Sequence, residues 1–117
     1  MTIESKKKDI RTITLKNSAM VVAHMQIQWE LGDNMGTYEE GGYHDVLIGQ
    51  DKSIDLANTN IPENATVNLK VEVVAARDKT AHETFVYKKE SKACAVYELT
   101  GTTLQKELNL LSYTVNG

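Results

Sequence analysis

The sequence is short of the residues that carry covalent or metal chemistry. It has one cysteine, Cys94, so an internal disulfide is excluded. Cys94 sits in Ala93-Cys94-Ala95-Val96-Tyr97, an alternating apolar run that predicts a small buried hydrophobe rather than a nucleophile. Positive charge is not in excess: 13 Lys and Arg against 16 Asp and Glu leave a formal charge of −3. A nucleic-acid footprint is therefore absent, and the one dense basic run, Lys6-Lys7-Lys8, reads as a solvated tail. No apolar stretch approaches the ~20 residues of a membrane span, and the N-terminus has no apolar signal core. The chain is expected to be made soluble and cytoplasmic, without a classical signal peptide, with release from the cell as the alternative.

Catalytic groupings are equally scarce. His24, His44 and His82 lie far apart at no metal-ligand spacing, and no Gly-x-Ser-x-Gly elbow, phosphate loop or dinucleotide fingerprint is present. Glu39 and Glu40 are adjacent, so on a strand they point to opposite faces and cannot act as an acid/base pair. The expectation is a protein that is no enzyme and needs no cofactor or metal.

What the sequence does have is period-two alternation. Val21, Ala23, Met25, Ile27, Trp29 and Leu31 fall on one face of a strand, with Val22, His24, Gln26, Gln28 and Glu30 on the other. Val67, Leu69, Val71 and Val73 alternate with Asn68, Lys70 and Glu72 in the same way. Val21, Ala23, Met25, Ile27, Trp29, Val67, Leu69, Val71 and Val73 are expected to face one shared core, with Trp29 mostly buried. Ile10–Lys16 reads as a preceding strand joined to the Val21 strand by a tight turn at Asn17-Ser18. Further runs stand at Asp45–Gly49, Ser53–Leu56, Thr84–Tyr87 and Cys94–Leu99. Leu104–Val115 has leucines at helical spacing, but its Thr and Ser flanks favour a strand. With 117 residues and turn clusters such as Gly32-Asp33-Asn34, Gly41-Gly42 and Thr100-Gly101 between runs, the prediction is one all-β domain. It is an antiparallel β-sandwich of two sheets with seven to eight strands, spanning residues 10–117 behind a flexible tail, 1–9.

Two segments invite a binding role. Tyr38-Glu39-Glu40-Gly41-Gly42-Tyr43-His44-Asp45 gathers aromatic and polar side chains, the combination a sugar site uses, so Tyr38, Tyr43, His44 and Asp45 are candidate glycan ligands. The other is Gly101-Thr102-Thr103-Leu104, directly after the strand ending Tyr97-Glu98-Leu99-Thr100.

Gly101-Thr102-Thr103-Leu104 resembles the loop of the C-terminal membrane-binding domain of the cholesterol-dependent cytolysins, in which a Thr-Leu pair recognises sterol. The resemblance extends to Thr12–Ser18 followed by Val21–Trp29, and to Ile61–Val71, covering about residues 10–115. It implies a β-sandwich whose loops at one end face a membrane. Gly101, Thr102, Thr103 and Leu104 would contact a sterol or another lipid, and 101–104 and 77–83 would share that end. Departures are plain. Val74–Glu83 is charged where the family carries a tryptophan-rich undecapeptide, Thr100 stands in place of a Trp, and the pore-building domains have no counterpart in these residues. The resemblance thus implies a membrane-surface module that forms no pore alone, with Leu104 as its one clear apolar probe. The alternatives are a carbohydrate-binding sandwich, and a protein-interaction subunit that pairs with itself or a partner chain through sheet edges.

Overall fold

The computed structural model describes residues 7–39, 45–74 and 76–115. Among these residues ten strands follow in chain order: β1 (Asp9–Ile10), β2 (Thr12–Asn17), β3 (Ala23–Leu31), β4 (Asn34–Glu39), β5 (Asp51–Asp55), β6 (Thr66–Val73), β7 (Lys79–Thr80), β8 (Phe85–Tyr87), β9 (Cys94–Gly101) and β10 (Lys106–Thr114). They form two sheets. One runs β1-β8-β6-β3-β4 with β7 beside β6, the other β10-β9-β2-β5. The all-β sandwich reading holds. The expected seven to eight strands become ten because two-residue pairings such as β1 and β7 carry no periodic signal. The sheets are also mixed rather than purely antiparallel: β1 pairs β8 and β2 pairs β9 in parallel.

Alternation places the core. In β6 every second residue, Val67, Leu69, Val71 and Val73, is buried, while Thr66, Asn68, Lys70 and Glu72 are partly exposed. Ala23, Met25 and Ile27 of β3 join them, and Ile13, Leu15, Ala95, Tyr97 and Leu99 supply apolar surface from the second sheet. Each large aliphatic side chain taken out of water contributes roughly 1.5–3 kcal/mol, which is what holds two sheets face to face. Trp29 departs from expectation, being half-buried at the margin of this core. Its cross-strand partner is Gly36 of β4, and the indole lies so close that a Cβ on Gly36 would stand 2.8 Å from Nε1. A glycine-poor alternation would have announced β4. Asn-Met-Gly-Thr-Tyr-Glu, with its glycine under the indole, does not.

Three further expectations are corrected. Asn17-Ser18 is not a hairpin turn, because β2 and β3 belong to different sheets. Asn17 is instead the pin of a crossover. Buried within the fold, its Nδ2 donates to the carbonyls of Val21 and Val46 at 2.8 Å each, and its Oδ1 accepts from Ala19 N–H at 2.9 Å. Asp45–Gly49 is a loop touching β3 through one bridge, Ala23 to Val46. Cys94 is partly exposed with its sulfur 3.9 Å from Thr14 Oγ1, because Ala93, Ala95 and Tyr97 take the inward positions of that run.

Strand β10 is the edge of the second sheet and confirms the extended reading of that segment. A bulge between Leu110 and Ser112 shifts its register against β9 and turns Leu111 outward. Tyr113 can then stack on Phe85, with ring centroids 5.7 Å apart. Bulges of this kind twist an edge away from further pairing.

Candidate functional site

Strands β2 and β9 run in parallel and end together, at Asn17 and Gly101, while β5 and β10 start beside them at Asp51 and Lys106. In the other sheet Ala23 at the start of β3 pairs with Val73 at the end of β6. Among the described residues, one end of the sandwich therefore collects four loops: 18–22, 45–50, 74 with 76–78, and 102–105. They are tied together through the backbone. Ser18 N–H donates to Leu99 O at 2.8 Å and Met20 N–H to Gly101 O at 3.0 Å. Gly49 N–H donates to Asn17 O at 2.7 Å, and Val74 N–H to Val22 O at 3.1 Å.

The 102–105 loop is a tight, locally closed turn. Gly101 pairs with Lys106, and Thr102 N–H donates to Gln105 O at 2.7 Å. Gln105 N–H in turn reaches Thr102 Oγ1 at 3.3 Å. Gly101 has φ 107°, a region that side-chain-bearing residues rarely adopt, and a Cβ there would lie 2.0 Å from the Gln105 carbonyl oxygen. Only glycine fits. The turn thrusts Leu104 into solvent, 92% exposed, so Leu104 belongs to a loop tip and not to β10.

Leu104 has company. Nine large hydrophobic side chains are exposed among the described residues, and five lie on these four loops: Met20 (71%), Leu47 (46%), Ile48 (57%), Val74 (60%) and Leu104. Scattered exposed leucines are ordinary, but a ring of five at one end of a small domain is the pattern of a contact surface. The sequence reading found only Leu104. The other four were hidden because their loops come together only after the sheets form.

Between residues 76–79 and 100–107 lies an open cleft of about 790 Å³, lined by Arg77, Lys79, Thr103, Leu104, Lys106 and Glu107 among others. Residues 101–104 and the first part of the charged 77–83 segment thus meet at one site. Two of the four candidate glycan residues can be placed. Tyr43 and His44 fall outside the described residues, Tyr38 packs half-buried against the core, and the Asp45 carboxylate stands 3.6 Å from His24 Nδ1.

On the outer face of the first sheet, His24, Glu39 and Glu72 bring ligand atoms within 4.8 Å of one another, a grouping that sequence spacing could not show because each comes from a different strand. The buried side chain of Gln26 donates through Nε2 to both carboxylates and so draws them together.

No family model and no curated protein matches the chain. Among solved structures it is similar to the membrane-binding domain of pneumolysin, at 19% identity and a TM-score of 0.49, covering 87% of this chain and 96% of that one. It is also similar to listeriolysin O (18% identity, TM-score 0.47, 92% of this chain and 22% of that one). A third is intermedilysin, solved with human CD59 (11% identity, TM-score 0.49, 86% and 23%). The chain spans about a quarter of the length of these two toxins.

Proposed function

We propose that the four-loop end is a membrane-contact surface, and that the chain is a non-catalytic module that docks on lipid without forming a pore by itself. The observation that carries this reading is the ring of Met20, Leu47, Ile48, Val74 and Leu104 on loops of a single end. One exposed Leu gains roughly 1.5–3 kcal/mol on full burial, too little to offset the ~4–15 kcal/mol lost in association. The five side chains, all but Leu104 already part-buried, bring a gross gain that reaches into the range of that cost. In the 102–105 turn, Thr103 and Leu104 are suited to a sterol: a hydroxyl to hydrogen-bond the sterol hydroxyl, and a branched apolar tip to pack on the ring edge.

Sedimentation with liposomes tests both levels. The native chain should pellet with liposomes, more with cholesterol-rich ones. Replacing Met20 and Ile48 by Ser should weaken binding to every liposome. Replacing Thr103 and Leu104 by Gly should remove the cholesterol preference, and trapped dye should stay inside throughout. Absence of pelleting with any liposome sinks the membrane reading, and equal pelleting with and without cholesterol sinks the sterol assignment.

A further inference from the structure

The cleft beside the apolar ring holds a cation in an unusual setting. Lys106 is only 7% exposed, yet the described partner of its ammonium is a single neutral acceptor, the Thr103 carbonyl at 2.7 Å. Lysine is rarely buried without a counter-charge, and an ammonium has three protons to donate. Arg77 and Lys79 line the same cleft, and neither has a carboxylate partner among the described residues. The nearby Asp78 is engaged elsewhere, accepting from Val73 N–H at 3.2 Å and standing 3.8 Å from Lys70 Nζ. The one carboxylate in the lining, Glu107, is exposed and accepts from Asn109 Nδ2 at 3.4 Å. Three cations thus surround the cleft against one rim carboxylate, in a chain whose formal charge is −3.

The geometry points to an anion site in this cleft, with Lys106 at its base and Arg77 and Lys79 at its mouth, that takes the phosphate group of an anionic lipid. The inference rests on the membrane-surface reading of the same end. Leu104 lines the cleft and also stands in the apolar ring, so a bilayer that receives Leu104 brings its headgroups to the level of the three cations. Phosphate oxygens would fill the unused donors of Lys106 and accept a forked pair of hydrogen bonds from Arg77.

Two measurements on the full chain test this. In the first, binding to vesicles of phosphatidylcholine alone is compared with vesicles carrying phosphatidylglycerol, at low and high salt. Each cation near an anionic surface is worth about fivefold in affinity at low salt. Phosphatidylglycerol should therefore strengthen binding at least tenfold, and salt should weaken it. Arg77→Gln, at an exposed position, with Lys79→Gln, at a half-buried one, should remove most of that gain. Lys106→Met should do the same. In the second, inorganic phosphate and glycerophosphoglycerol are titrated while the backbone amides are followed by NMR, with shifts expected at 76–79 and 100–107.

Vesicle binding that ignores lipid charge, or a charge preference that survives both variants, overturns the anion site and leaves the membrane reading standing. Phosphate shifts that vanish in the variants, with no vesicle bound, keep the site, assign it to a soluble phosphate and discard the membrane reading. Neither shifts nor vesicle binding defeats both.

Discussion

Replacing Gly101 by Ala couples the fold to the candidate site in one substitution. The added Cβ meets a backbone oxygen, Gln105 O at 2.0 Å, and no side-chain rotation can relieve that contact. A φ of 107° adds its own strain, of order 1–3 kcal/mol for a residue held in a sparsely populated region. To escape the clash the turn must open, which breaks the bond from Thr102 N–H to Gln105 O, worth ~0.5–1.5 kcal/mol. The sum is about 2–4 kcal/mol of destabilisation. For 117 residues, at ~2.1 cal/mol/K of unfolding entropy each, that corresponds to a fall in Tm of about 8–16 °C. Calorimetry gives the Tm, and hydrogen exchange at the Thr102 amide reports whether the turn has opened. Opening also displaces Leu104, so liposome binding should drop even at temperatures where the domain stays folded. A Tm within about 2 °C of native, together with a Thr102 amide as protected as before, would show that the turn does not depend on glycine and that the reasoning is wrong.

Two other substitutions probe the core and its margin. Tyr97 is buried, its hydroxyl makes no hydrogen bond of ordinary length and angle with a described residue, and burial, with the Glu83 carboxylate close enough to interact with it, pushes its phenol well above the usual range. Tyr97→Phe removes an unpaired polar atom at nearly constant shape, so stability at neutral pH should hold or rise by about 1 kcal/mol. Because the folded phenol releases its proton later than the unfolded one, the fold should lose stability as pH rises past about 10. Tyr97→Phe should lessen that alkaline loss, and identical alkaline melts for the two proteins would refute the assignment. Gly36→Ala places a methyl 2.8–2.9 Å from three atoms of the Trp29 indole, which must then swing away. The single tryptophan should show red-shifted emission and easier quenching by iodide. An unchanged spectrum would mean that the indole does not rest on Gly36.

The sequence by itself determined which faces are buried. Period-two spacing in Val67–Val73 and Ala23–Ile27 is a local property of extended chain, so it survives whatever sheet the strand joins. The same locality explains the errors. Asn17-Ser18 has the composition of a turn, and only the placement of β2 and β3 in different sheets makes it a crossover pinned by the Asn17 side chain. Gly36 looks like a strand breaker until Trp29 is seen lying across it. At the candidate site, the Gly101–Leu104 turn was legible because glycine and a four-residue loop write their own conformation. Met20, Leu47, Ile48 and Val74 were not, since each is one apolar residue in an otherwise ordinary loop. Parallel pairing of β2 with β9 brings residues some eighty positions apart to the same end. The apolar ring and the Arg77–Lys79–Lys106 cleft therefore exist only in the tertiary structure, because long-range strand pairing, not local spacing, decides which loops become neighbours.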